Sequence, residues 1–133
     1  MIRSQILDTS KNGQTIKKTS YRSLIMWKKS DALVKEIYQA TEQFPKNEMY
    51  GLTSQLRRAA LSVVLNIVEG FARTSKAEFR RFLDIAFGSL TEVEYLLVLS
   101  HDLRYLEEDL FEQLEAKRAE CSKLIWSYRK KMK

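Results

Sequence analysis

Hydrophobic residues recur every three or four positions through most of this chain, and very little interrupts them. Its 133 residues include only four glycines and one proline. Turn-rich β architectures need many such residues, so the pattern and the scarcity of breakers together predict long helices. The length suits one domain with one hydrophobic core.

The few breakers divide the chain into four helical segments. The first is expected from about Leu24 to Gln43, with Trp27, Val34, Ile37, Tyr38 and Phe44 at helical spacing. Pro45 stops it, because the residue before proline avoids the helical region. The second is expected from Asn47, as a cap, to about Glu69, with Gly70 as the left-handed terminator. The third follows Ser75, which forms a capping-box pattern with Glu78. Its apolar face is Phe79, Phe82, Leu83, Ala86, Leu90, Val93 and Leu97. After a break near His101 to Tyr105, the fourth runs to the basic C-terminal tail. Leu106, Leu110, Leu114, Cys121, Leu124, Ile125 and Tyr128 face inward along it. Its acidic first turn (Glu107, Glu108, Asp109) and basic last turn (Arg129 to Lys131) complement the helix dipole. Short loops between long helices make neighbours antiparallel, so the expected fold class is an all-α, up-down-up-down four-helix bundle. Residues 1–22, polar and without sustained periodicity, read as a flexible basic arm, and residues 23–133 as the bundle domain.

The second helix exceeds what one bundle can cover. Leu61, Val64, Leu65 and Val68 lie off the stripe formed by Leu56, Ala60, Val63 and Ile67, and Ile85, Leu96 and Leu99 do the same on the third. A helix apolar on all sides must be covered on all sides, which favours a homo-oligomer.

Charge is uneven along the chain. Residues 1–24 carry five basic and one acidic residue, residues 25–128 carry 14 and 16, and residues 129–133 carry four and none. Basic termini on a nearly neutral body fit an anionic partner such as nucleic acid, or merely aid solubility. Arg73, Lys76 and Arg80, with Arg57, form a candidate phosphate-binding group near the turn between the second and third helices, joined by Arg129, Lys130 and Lys131 of the tail. Glu69, Glu78 and Asp84 are interleaved with them, so a salt-bridged turn is the plainer alternative.

No catalytic or metal constellation is visible. His101 and Cys121 are the only residues of their kinds. A zinc site needs about four ligands. No phosphate-cradling glycine loop is present. Neither a cofactor nor a small-molecule substrate is expected, and Glu69 and Glu92 are the only candidate carboxylates for an enzyme. The longest strongly apolar stretch, Ala59 to Val68, is half what a membrane span requires, about 20 residues. The N-terminus has no apolar core of the secretory kind, and the lone cysteine makes a reducing cytoplasm the default expectation.

A polar stripe runs through the apolar helices. Gln55, Arg58, Ser62, Asn66 and Glu69 share one face of the second, and Arg81, Asp84, Gly88, Ser89 and Glu92 have comparable spacing on the third. Antiparallel alignment puts Arg58 near Glu92 and Glu69 near Arg81, with Ser62 and Gly88 between them, small enough to let the backbones approach. The stripe reads as a buried ladder that fixes register, in which Arg58→Ala would be strongly destabilising. The alternative is a solvent-facing or pore-lining ligand site.

Several of these residues also carry a resemblance. Phe44-Pro45-Lys46-Asn47-Glu48, Tyr50-Gly51-Leu52-Thr53-Ser54-Gln55-Leu56-Arg57-Arg58-Ala59, Asn66-Ile67-Val68-Glu69-Gly70 and Ala86-Phe87-Gly88-Ser89-Leu90-Thr91-Glu92, with Trp27 in the opening helix, resemble the proteins encoded by intervening sequences in bacterial 23S rRNA genes. That family is also called the S23 ribosomal protein family. The resemblance covers residues 24–128 and implies a four-helix bundle assembled as a ring-like homopentamer. Related proteins include accessory subunits of diversity-generating retroelements, which bind nucleic acid and a reverse transcriptase, while this chain looks closer to the intervening-sequence branch. The resulting expectation is a non-enzymatic oligomeric scaffold that binds RNA or DNA through phosphates. The alternative is a protein–protein adaptor whose basic arm docks an acidic partner.

Overall fold

A computed structural model describes residues 20–132 of the chain. Its helices are α1 (Ile25–Thr41), α2 (Leu52–Phe71), α3 (Lys76–Asp102) and α4 (Glu108–Lys130). Each packs against two neighbours, α4 closes on α1, and the α2–α3 contact is the most extensive. This is an antiparallel four-helix bundle.

The core follows from the helical period. Met26, Leu33 and Ile37 of α1 meet Leu56, Val63 and Ile67 of α2, Leu83, Leu90 and Leu97 of α3, and Leu114 and Ile125 of α4, all at most 1% exposed. Each such side chain contributes roughly 1.5–3 kcal/mol by leaving water. Tyr38, expected on the inner face of α1, is turned outward. It lies one residue past the Leu33, Ile37, Ala40 stripe, and its ring supports the Arg57 guanidinium 4.7 Å away.

The helix ends show where local chemistry differs from the pattern. Asn47 does not cap α2. It lies in a 3-10 turn, Lys46–Glu48, and α2 starts five residues later. The capping atom is Glu48 Oε1, which accepts from the Leu52 amide at 2.9 Å. The other Glu48 oxygen accepts from the Tyr105 hydroxyl at 3.0 Å, tying this loop to the α3–α4 turn and pushing the Tyr105 pKa up.

Gly70 does not terminate α2 either, because the helix continues through it to Phe71. It is there for closeness. A Cβ at Gly70 would lie 2.8 Å from Phe82 Cβ and 2.9 Å from Phe79 Cδ1, so only glycine lets α2 meet the start of α3 at this distance. Ser75 does cap α3, accepting from the Glu78 amide at 3.0 Å. At the far end of α3 the left-handed position is filled by Arg104, at φ 68°, where most helices place glycine.

The chain enters the bundle at Ser20, whose hydroxyl caps the 3-10 turn Tyr21–Ser23, and the Tyr21 ring meets Trp27 edge-on at 5.3 Å. Residues 20–22 of the expected arm thus belong to the described fold, and residues 1–19 lie outside the described residues.

Two glycine exchanges should have opposite signs. Gly70→Ala should lower stability by roughly 1–3 kcal/mol through overpacking. Arg104→Gly should raise it by about 1 kcal/mol by relieving the left-handed backbone. Urea denaturation of the purified variants reads both.

Candidate nucleic-acid interface

The polar stripe lies along the outer seam between α2 and α3. Arg58 donates to Gln55 and Glu92, the latter at 2.5 Å. The Ser62 and Ser89 hydroxyls are 2.9 Å apart, and Asn66 Nδ2 donates to the Ser62 carbonyl at 2.8 Å. Glu69 does not reach Arg81. It accepts from Arg73 Nη2 at 2.8 Å, four residues on, in the turn just past the end of α2. Arg81 instead lies over the Phe82 ring, which Arg73 also covers. Gly88 does not line the seam, because a Cβ there would meet nothing within 4 Å; Ser89 is the α3 residue that faces α2.

The stripe is wetter than a buried ladder. The Arg58 and Glu92 side chains are 53% and 46% exposed, and only the two serines and Asn66 are more enclosed. A pair in that setting contributes little, about 0.2–1 kcal/mol. Among the described residues, the one buried charge lies elsewhere. Arg118 of α4 is 9% exposed, held by Glu115 at 2.6 Å and by Ser122, with Glu94 of α3 at 3.7 Å. Its place in the Leu114, Arg118, Cys121, Ile125 series, all core-spaced, was the signal in the sequence.

Of the expected basic group, Arg57 stands apart. Fourteen residues of α2, about 21 Å, separate it from the helix end at Phe71, just before Arg73. It is also occupied, donating to Thr41 Oγ1 at 2.8 Å and to the Tyr38 carbonyl. Arg73 is paired with Glu69, and Arg129 forms two hydrogen bonds with Asp84 that hold its pKa above the usual range. Among the described residues, Lys76, Arg80, Lys130 and Lys131 have no ion-pair partner.

Topology gathers these cations. The α2–α3 turn, the start of α1 and the end of α4 all lie at one end of the bundle, since Asp84 meets Arg129 and the Phe87 ring meets Trp126. The half containing that end (20–32, 62–88 and 120–132) holds eleven basic and five acidic side chains, a net +6. The other half (33–61 and 89–119) holds seven basic and eleven acidic, a net −4. The described fold is therefore polarised along its axis.

The acidic end carries an open cleft of about 720 Å³ lined by Gln43, His101, Asp102, Arg104 and Glu107 among others. His101 stacks on Phe111 and bonds Glu108 through Nε2 at 2.8 Å. Glu108 is held below the usual carboxylate range by its hydrogen bonds to Glu112 and His101, and Glu112 is raised in turn. Cys121 lies in the core about 20 Å further along α4, its thiol pushed up by burial, so no Cys–His pair exists. Among the described residues no three His, Cys, Asp or Glu side chains are grouped to hold a metal. No described helix is long and apolar enough to cross a membrane.

The sequence profile of a family described as 23S rRNA-intervening sequence protein matches residues 22–127. The crystal structure of a protein of unknown function from the S23 ribosomal protein family of Bacteroides thetaiotaomicron is similar at a TM-score of 0.74 and 25% identity. That likeness covers 80% of this chain and 96% of that one. No curated protein matches the sequence.

The wet setting of the stripe reverses the expectation for Arg58. Arg58→Ala should cost less than about 1 kcal/mol, and an Arg58/Glu92 double-mutant cycle should return a coupling of similar size. Denaturant titration of the four proteins measures it.

Proposed function

The chain belongs to the 23S rRNA-intervening sequence protein family, and on that premise we propose that it is a non-enzymatic, homo-oligomeric scaffold that binds RNA or DNA through phosphate contacts. The observation that carries this reading is the charge polarity of the bundle, with Lys76, Arg80, Lys130 and Lys131 unpaired at its positive end. Cations offered without a carboxylate partner attract the phosphate backbone and release its counterions. Lys76 has no ion-pair partner among the described residues, and its positive charge in the first turn of α3 opposes the helix dipole, which supports a role outside the fold.

Self-association is supported by the outer face of α2 and α3. Leu61, Leu65 and Ile85 are 38%, 55% and 41% exposed, beside the open space in front of Gly88. Such apolar surface is what a neighbouring copy covers. The pentamer implied by the family resemblance would repeat each positive end five times and multiply a modest field per subunit.

Fluorescence anisotropy of labelled RNA and DNA with the full chain tests the reading. Three phosphate contacts to a single strand should weaken binding roughly 20-fold between about 50 and 200 mM salt. Lys76→Glu/Arg80→Glu/Lys130→Glu should weaken it further at fixed salt, and Lys35→Glu, on the acidic half, should do so far less. Absence of binding to either nucleic acid at low salt would overturn the proposal.

A further inference from the structure

Trp126 is 49% exposed on the outer face of α4. One part of its indole rests against Phe87 of α3, ring centroids 6.1 Å apart and tilted by 54°. The remainder faces outward. Lys123 lies one turn before it and Lys130 one turn after it on the same face, both exposed and without an ion-pair partner among the described residues. A half-open aromatic ring, backed by Phe87 and set between two lysines, therefore lies in the positive half of the bundle.

Resting on the nucleic-acid reading above, we propose that Trp126 is a stacking platform for an unpaired base, with Lys123 and Lys130 holding the adjoining phosphates, so that the substrate class is single-stranded. Every base has a π-face, so such stacking tolerates any sequence, as the phosphate contacts do. Duplex bases are already stacked on each other, and exposing one to a ring on a convex helix requires unstacking. The flanking lysines argue against a protein partner at this spot: tryptophan is common at the centre of protein interfaces, but lysine is depleted there.

The test uses the full chain with a fluorescein-labelled oligothymidine of about 20 nucleotides and a duplex of equal length. Trp126→Ala should weaken oligothymidine binding about tenfold and leave duplex binding within about twofold, while Trp126→Phe keeps most of the single-strand affinity. In a Trp27→Phe background, where the lost indole N–H has no hydrogen-bond partner, oligothymidine should quench the remaining Trp126 emission. Equal loss on both probes, no loss on either, or a changed oligomer mass with unchanged binding would overturn the stacking proposal alone. Failure of the unmutated chain to bind either probe at low salt would overturn the nucleic-acid reading and this proposal with it.

Discussion

The close approach of α2 to α3 sets the rest of the structure. Gly70 leaves no side chain between α2 and the Phe79 and Phe82 rings, and Ala59 and Ala86 are completely buried. Small residues bring the two backbones together and leave the register little freedom, because a shift would drive a ring into a helix. The hydroxyls of Ser62 and Ser89 then meet midway, and Arg58 reaches Glu92. The ion pair reports that register more than it enforces it, since both partners are half in water.

The same hairpin determines where charge goes. A tight turn after Phe71 starts α3 at Lys76, so Arg73, Lys76 and Arg80 come to one end whatever pairs they form there. The turn through Arg104 then reverses the chain and carries Arg129, Lys130 and Lys131 back to that end, while Glu107, Glu108 and Asp109 stay at the other. For α4 this arrangement agrees with the helix dipole. For α3, a lysine in the first turn runs against it, and the Ser75 cap and Glu78 offset the conflict. A fold optimised only for stability would not place Lys76 there.

Much of this was readable in the sequence, for identifiable reasons. The helices, the core stripes of α2 and α3 and the Ser75 cap follow from period and local chemistry, which a sequence displays directly. Gly70 reads as a helix terminator in the sequence because a helix-ending glycine and a close-packing glycine look alike until the neighbouring Phe79 and Phe82 rings are placed. Asn47 was displaced as a cap by Glu48, whose second oxygen is claimed by Tyr105, 57 residues away. Glu69 pairs with Arg73 rather than Arg81 because a partner four residues on, just past the end of its own helix, needs no alignment between helices. The charge polarity lay beyond linear counting: the segment from 25 to 128 is nearly neutral, and only the folding back of its helices separates the signs.

The central claim, that the positive end of this bundle is a nucleic-acid surface, is tested most directly by mapping where a bound strand touches. An RNA carrying a photoactivatable thiolated base would be bound to the full chain at low salt, irradiated, and the attached peptides identified by mass spectrometry. The account predicts adducts on the first turns of α3 and the last turns of α4, with Trp126 and its flanking lysines among them, and their loss as salt is raised. Adducts concentrated at the α3–α4 turn around Asp102 to Glu112, or yields insensitive to salt, would contradict it.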